Sequence, residues 1–123
     1  MKILLYANNR ENTGKQIEKH IKEEPRIEIE TLDSVTSLSQ KLCQPLHRIM
    51  VIILVIQTKE EITQFLDLIP LLENIRIILV LPDRDKHTLA VGIKLNPSFI
   101  SYTDDDLDDI TQVLKKIQKI TLH

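Results

Sequence analysis

The sequence is short of cysteine, glycine, aromatic residues and long apolar runs, and each shortage removes a class of reading. Cys43 is the sole cysteine, so no internal disulfide can form, and a reducing, cytoplasmic compartment is expected. Only two glycines occur, with no Gly/Ser tract, which leaves no linker, repeat or low-complexity segment to divide the chain. One domain over residues 1–123 is expected, large enough to bury roughly two thirds of its unfolded surface. The apolar residues after Met1 give way to a polar stretch too soon for a signal peptide. No apolar run approaches the roughly 20 residues that cross a bilayer, so no membrane association is expected. A formal charge of −2 gives no support for nucleic acid or an anionic membrane as partner.

What is present is a set of short, strongly apolar runs. Ile49 to Ile56 reads Ile-Met-Val-Ile-Ile-Leu-Val-Ile, mostly β-branched and without polar alternation. Neither face of such a strand can look at water, which places it at the centre of a parallel sheet covered on both sides. Ile3 to Ala7 is a second buried-type strand. A helix is expected from Glu11 or Asn12 to Glu24, stopped by Pro25, with Ile17 and Ile21 as a narrow apolar stripe.

Arg26 to Leu32 alternates, with Ile27, Ile29 and Thr31 opposite Glu28 and Glu30, the pattern of a half-exposed edge strand. Asp33 or Ser34 can cap a short helix carrying Val35, Leu38 and Leu42, which Pro45 ends. Thr58 and Glu61 have capping-box spacing, ahead of a helix expected to bury Ile62, Phe65, Leu66 and Ile69 before Pro70.

Ile75 to Leu81 is another apolar strand, closed by Pro82-Asp83. A helix from Asp85 to Leu95 should pack Leu89 and Ile93, and Asn96-Pro97 closes it. After a short strand from Ser98 to Tyr102, Thr103 caps a helix through Ile120 with Leu107, Ile110, Val113, Leu114 and Ile117 on one face. The βαβαβαβαβα order gives an α/β fold, a three-layer αβα sandwich on a five-stranded parallel sheet with right-handed crossovers. An edge-type second strand beside apolar first and third strands suits the flavodoxin-like order 2-1-3-4-5.

Candidate chemistry is sparse. In such a fold ligands sit at the carboxyl edge of the sheet, where Asn8, Asn9, Gln57, Asp83 and Arg84 would gather, and this is the candidate ligand edge. Pro82 to His87 is the most chemically varied loop there. Asp104-Asp105-Asp106 with Asp108-Asp109 reads best as carboxylates in the first turn of a helix, where they offset the macrodipole; a cation site or a charged docking face is the other reading. Cys43 has no catalytic neighbour in sequence, and His20, His47, His87 and His123 show no ligand spacing, so neither a catalytic nor a metal site is expected. Lys115, Lys116 and Lys119 form a basic patch that suits a helix carboxyl end better than nucleic acid.

With five βα units at this length, the chain resembles the receiver domain of bacterial response regulators, the CheY-like family. The resemblance implies a phospho-acceptor aspartate at the end of strand three, Mg²⁺-binding acids after strand one, a hydroxyl after strand four and a lysine after strand five. Here those places read Ala7-Asn8-Asn9, Val55-Ile56-Gln57, Val80-Leu81-Pro82 and Tyr102-Thr103. The set is missing, so the resemblance implies a degenerate receiver with no catalytic residues and no cofactor. It would act as a signalling or interaction domain with a protein partner, for which a homodimer through the last two helices and last strand is one form.

The alternative is a flavodoxin-like protein or enzyme that binds FMN, a nucleotide or phosphate. It rests on the likeness of Leu4 to Thr13 to the flavodoxin phosphate loop, in which Tyr6 and Thr13 match while Asn8 and Glu11 depart. The aromatics open to flavin stacking would be Tyr6, Phe65, Phe99 and Tyr102. A structural helix cap at Asn12 or Thr13 is the simpler reading of the same residues.

Overall fold

The computed structural model describes residues 1–8, 12–44 and 49–121. Asn9, Glu11, Pro45, His47 and His123, which entered the readings above, lie outside the described residues. The elements are β1 (Lys2–Tyr6), α1 (Asn12–Lys22), β2 (Glu28–Leu32), α2 (Val35–Leu42), β3 (Ile49–Val55), α3 (Lys59–Leu66), β4 (Arg76–Leu81), α4 (Lys86–Ile93), β5 (Phe99–Tyr102) and α5 (Leu107–Thr121), with a 3₁₀ turn at Ile69–Leu71. The strands form one sheet in the order β2-β1-β3-β4-β5. Every pairing is parallel, so the expected fold class and strand order both stand.

Alternation along each strand divides the core in two, because successive side chains leave opposite faces of a sheet. On one face Leu4, Tyr6, Ile52, Leu54, Leu79 and Leu81 meet Leu38 and Leu42 of α2 and Ile62 and Phe65 of α3. On the other, Ile3, Leu5, Val51, Ile53, Val55, Ile78 and Val80 meet Ile17 and Ile21 of α1 and Ile110, Leu114 and Ile117 of α5. In β3 every residue from Val51 to Val55 is fully buried, as is Ile56 after it. That is why the run tolerates no polar residue on either face. At the β2 edge, Glu30 is held by Lys41 at 3.1 Å and Lys2 at 3.8 Å, and charge on an edge strand discourages further pairing.

Three expectations need correction. In α4, Leu89 is half-buried and packs against the core as expected, but Ile93 is 56% exposed, and Thr88 and Gly92 are the most buried residues. At Gly92 the helix comes close to β4: a Cβ there would stand 2.8 Å from Leu79 Cδ2, so a larger residue would have to displace that leucine side chain. Ile93 is one residue, about 100°, further round the helix and faces out.

The second correction is that α3 stops at Leu66. Leu66 is half-buried and Ile69, in the 3₁₀ turn with Pro70, is 41% exposed, so only Ile62 and Phe65 of the expected four are core. Third, α5 starts at Leu107, and the residue that holds its first turn is Asp106, whose Oδ1 accepts the Asp108 N–H at 2.9 Å. Thr103 instead continues the strand end, donating its N–H to Leu81 O at 3.0 Å.

The expected Ser34 cap is present, its Oγ accepting the Ser37 N–H at 3.0 Å. Thr58 likewise accepts from the Glu61 N–H, at 3.4 Å.

Gly14 gives a test of sign. Replacing a helix glycine by alanine normally stabilises by about 1 kcal/mol. At Gly14 a Cβ would overlap Ala7 Cβ, where α1 crosses the end of β1. Gly14→Ala is therefore expected to destabilise by about 1–3 kcal/mol in urea unfolding, as overpacking does. Ala7→Gly in the same chain should recover part of that loss.

Candidate functional site

A parallel sheet delivers the carboxyl ends of all its strands to one edge. Here that edge carries Asn8 after β1, Gln57 and Thr58 after β3, Pro82 to Asp85 after β4, and Thr103 to Asp106 after β5. The strand order reverses between β1 and β3, which makes the loops flanked by Asn8 and Gln57 the usual ligand crevice of this architecture. Both residues are half-buried. The described candidate residues thus do share one edge, but they fall into two groups with different chemistry.

The amide group lies at β1 and β3, above Tyr6. Tyr6 is 4% exposed, and its ring meets Phe65 edge-on at 4.8 Å between centroids. Burial pushes the Tyr6 phenol well above its usual range, and the neighbouring Glu61, to which it is hydrogen-bonded, and Asp33 push it further. Tyr6 therefore stays neutral at physiological pH and donates its O–H to the Glu61 carboxylate. The capping-box spacing assigns the Glu61 side chain to the Thr58 N–H, and gives no sign of its contact with Tyr6. The same burial removes Tyr6 and Phe65 from the aromatics open to a flavin.

The ionic group lies at β4 and β5 and is built around Arg84. Its Nη1 donates to both carboxylate oxygens of Asp104 at 2.8 Å, and its Nη2 donates to Asp105 Oδ1 at 2.8 Å. The guanidinium carbon stands 4.2 Å from the centroid of the Tyr102 ring, a cation–π contact. The second oxygen of Asp105 accepts the Tyr102 N–H at 3.1 Å and the Ser101 hydroxyl at 3.4 Å. Arg84 thereby ties the β4–α4 loop to the β5–α5 loop through planar, two-pronged contacts of the kind arginine favours.

Asp83, the other candidate on this loop, folds back on its own chain. Its Oδ1 accepts the Asp85 N–H at 2.9 Å, and Asp85 caps α4 by accepting the His87 N–H at 2.8 Å. Asp83 and Asp85 shape the loop that presents Arg84.

The acidic run is thus divided among three tasks, and its reading as a first helical turn holds only for Asp108 and Asp109. Asp104 and Asp105 pair with Arg84, and Asp106 starts the helix. The signal for the Arg84 contacts was available in principle. The order 2-1-3-4-5 sets the loops after β4 and β5 side by side, and one of them carries a cation while the other carries consecutive acids.

Among the described residues no group of three His, Cys, Asp or Glu is placed to hold a metal ion. Cys43 is exposed. Lys115 of the basic patch reaches Glu24 at 3.4 Å. No helix among the described residues is long and apolar enough to cross a membrane.

The hydrogen bond from Arg84 lowers the Asp104 carboxyl below the usual aspartate range, and the guanidinium charge lowers it further. A carboxyl whose folded value is depressed stabilises the fold above its ordinary value, and that contribution is lost as the pH falls through the lowered one. Carboxyl-detected NMR titration should show Asp104 ionising at lower pH than an ordinary aspartate. Arg84→Ala should raise it toward the ordinary value with little loss of global stability, because the pair is exposed.

No protein-family model matches the chain, and no curated protein matches it. Among solved structures, it is similar to the RcsB response regulator of Salmonella typhimurium, in work on conformational dynamism for DNA interaction, with TM-score 0.76 and 16% identity over 97% of this chain and 60% of that one. It is similar also to RcsB from Salmonella enterica serovar Typhimurium bound to promoter rprA in the presence of the phosphomimetic BeF3-, with TM-score 0.76 and 15% identity over 94% of this chain and 67% of that one. The chain therefore spans about two thirds or less of each. At such identities the likeness speaks for the fold alone, and that fold is the receiver-like, CheY-like form of the flavodoxin-like architecture.

Proposed function

We propose that this chain is a cytoplasmic signalling domain, a receiver-like fold without the phospho-acceptor aspartate, which acts by binding a protein partner and not by catalysis. The observation that carries the reading is the end of β3, where Ile56 and Gln57 stand in the place of the acceptor. An amide is too weak a nucleophile to take a phosphoryl group in place of a carboxylate. Amides also follow β1, at Asn8 and Asn9, where a receiver needs acids to hold a hard cation. The one cation described in the β4–α4 loop close to this edge, Arg84, is engaged by Asp104 and Asp105. In this reading residues 1–123 act as one domain, and the carboxyl edge of Asn8, Asn9, Gln57, Asp83 and Arg84 is a surface rather than a reaction centre.

For the partner, we favour a second copy of the chain, docked through the face of α4, β5 and α5. β5 is an open edge strand, paired on one side only by β4. Ile93 on α4 is 56% exposed and is the apolar side chain on which the proposed contact is tested.

One preparation tests both statements. Incubation with Mg²⁺ and acetyl phosphate should leave the intact mass unchanged, and beryllofluoride should not move the melting temperature. A ligand at about 100 times its Kd would stabilise the fold by about 2.7 kcal/mol, a readable shift. A phosphoryl mass gain would overturn the non-catalytic reading, and a shift with FMN or a nucleotide would favour the small-ligand alternative. Sedimentation of the same protein should give a concentration-dependent dimer that Ile93→Asp abolishes; a monomer at every concentration would overturn the second-copy partner.

A further inference from the structure

The second cluster of polar groups lies away from the carboxyl edge, between α1 and α5. A cleft of about 330 Å³ opens there, lined by His20, Glu23, Glu24, Asp108, Thr111, Gln112 and Lys115. A second cleft of about 270 Å³ adjoins it and shares His20 and Glu23. Its size is that of the smaller ligand pockets of globular proteins.

Thr111 is the unusual member. It is 5% exposed, and its Oγ1 is buried with no hydrogen-bond partner among the described residues. A buried hydroxyl without a partner is destabilising, and the free energy is recovered only when a donor or acceptor reaches it. The cleft it lines is rich in carboxylates. Glu23, Glu24 and Asp108 bring three carboxylates to the cleft, against the Lys115 ammonium and the His20 imidazole.

Two exposed ion pairs line the cleft. His20 Nε2 lies 2.9 Å from Asp108 Oδ1, and the Asp108 side chain is 64% exposed. Lys115 Nζ lies 3.4 Å from Glu24 Oε1, and the lysine is 57% exposed. Exposed pairs of this kind are held weakly and give way to a better-placed cation.

We propose that the α1/α5 cleft is a binding site for an organic cation, a primary ammonium or guanidinium group. The incoming cation takes the place of His20 on Asp108 and engages Glu23 or Glu24. One of its N–H groups donates to Thr111 Oγ1 once the His20–Asp108 contact opens. The excess of carboxylates selects a cation over an anion, and the hydroxyl acceptor selects a hydrogen-bond donor over a quaternary ammonium, which has none. The site does not depend on the signalling reading of the carboxyl edge.

The cation can be a free amine or an arginine side chain of another protein, and the test separates the two. The wild-type chain, ¹⁵N-labelled at low salt, is titrated with agmatine, tetramethylammonium and an acetylated, amidated arginine peptide. Agmatine should give saturable shifts at His20, Asp108, Thr111 and Lys115, weakened by added salt, while tetramethylammonium should give none there. Tighter binding of the peptide than of agmatine assigns the site to a partner's side chain, and the reverse assigns it to a free amine.

Thr111→Val and Asp108→Asn should each weaken agmatine by about tenfold, the scale of one lost hydrogen bond to a charged group. Thr111→Val should at the same time melt no lower than wild type, because it removes an unpartnered hydroxyl without changing shape. Absence of saturable shifts at the cleft, or binding that both variants leave unchanged, would overturn the proposal.

Discussion

The structure depends on the burial of β3 from both sides. Val51 to Ile56 leaves no surface to water, so two helical layers must cover it, and the strands beside it must carry apolar residues on both faces as well. β1 and β4 do so, and each pairs with β3 in parallel. From that single requirement follow the crossover helices, the placement of β2 and β5 at the edges, and the collection of every strand's carboxyl end on one side. The local chemistry of that side is a consequence of a packing constraint several residues away.

Much of this was legible in the sequence because hydrophobic pattern is a local property. The run from Ile49, the Ile17 and Ile21 stripe, the alternation of Arg26 to Leu32 and the Ser34 cap each declare themselves within a few residues. Where the reading failed, a partner distant in sequence decided the outcome. Ile93 looked like part of the apolar face of α4, but Thr88 and Gly92 are turned inward and Gly92 lies close to Leu79 of β4. The acids after β5 looked like one helix start, but Arg84, some twenty residues earlier, engages two of them. Thr111 carried no signal at all, since a threonine in a helix gives no sign of whether its hydroxyl will be paired.

The carboxyl edge shows how the residues at strand ends can take up their own contacts without disturbing the sheet. The amides at Asn8 and Gln57 and the Arg84 contacts with Asp104 and Asp105 leave the sheet geometry intact. Stability and fold reside in the strands, whereas function is assigned by a few residues at their ends.

The measurement that tests the central claim most directly is native-state hydrogen exchange read residue by residue. If β3 is the element on which the rest depends, the amides of Ile52 to Leu54 should exchange only through global unfolding. Their opening free energy should then equal the stability measured by urea. The β2 amides, at the sheet edge, should exchange through smaller openings. Exchange of the β3 amides at a free energy well below the global value, or as fast as those of β2, would contradict the account.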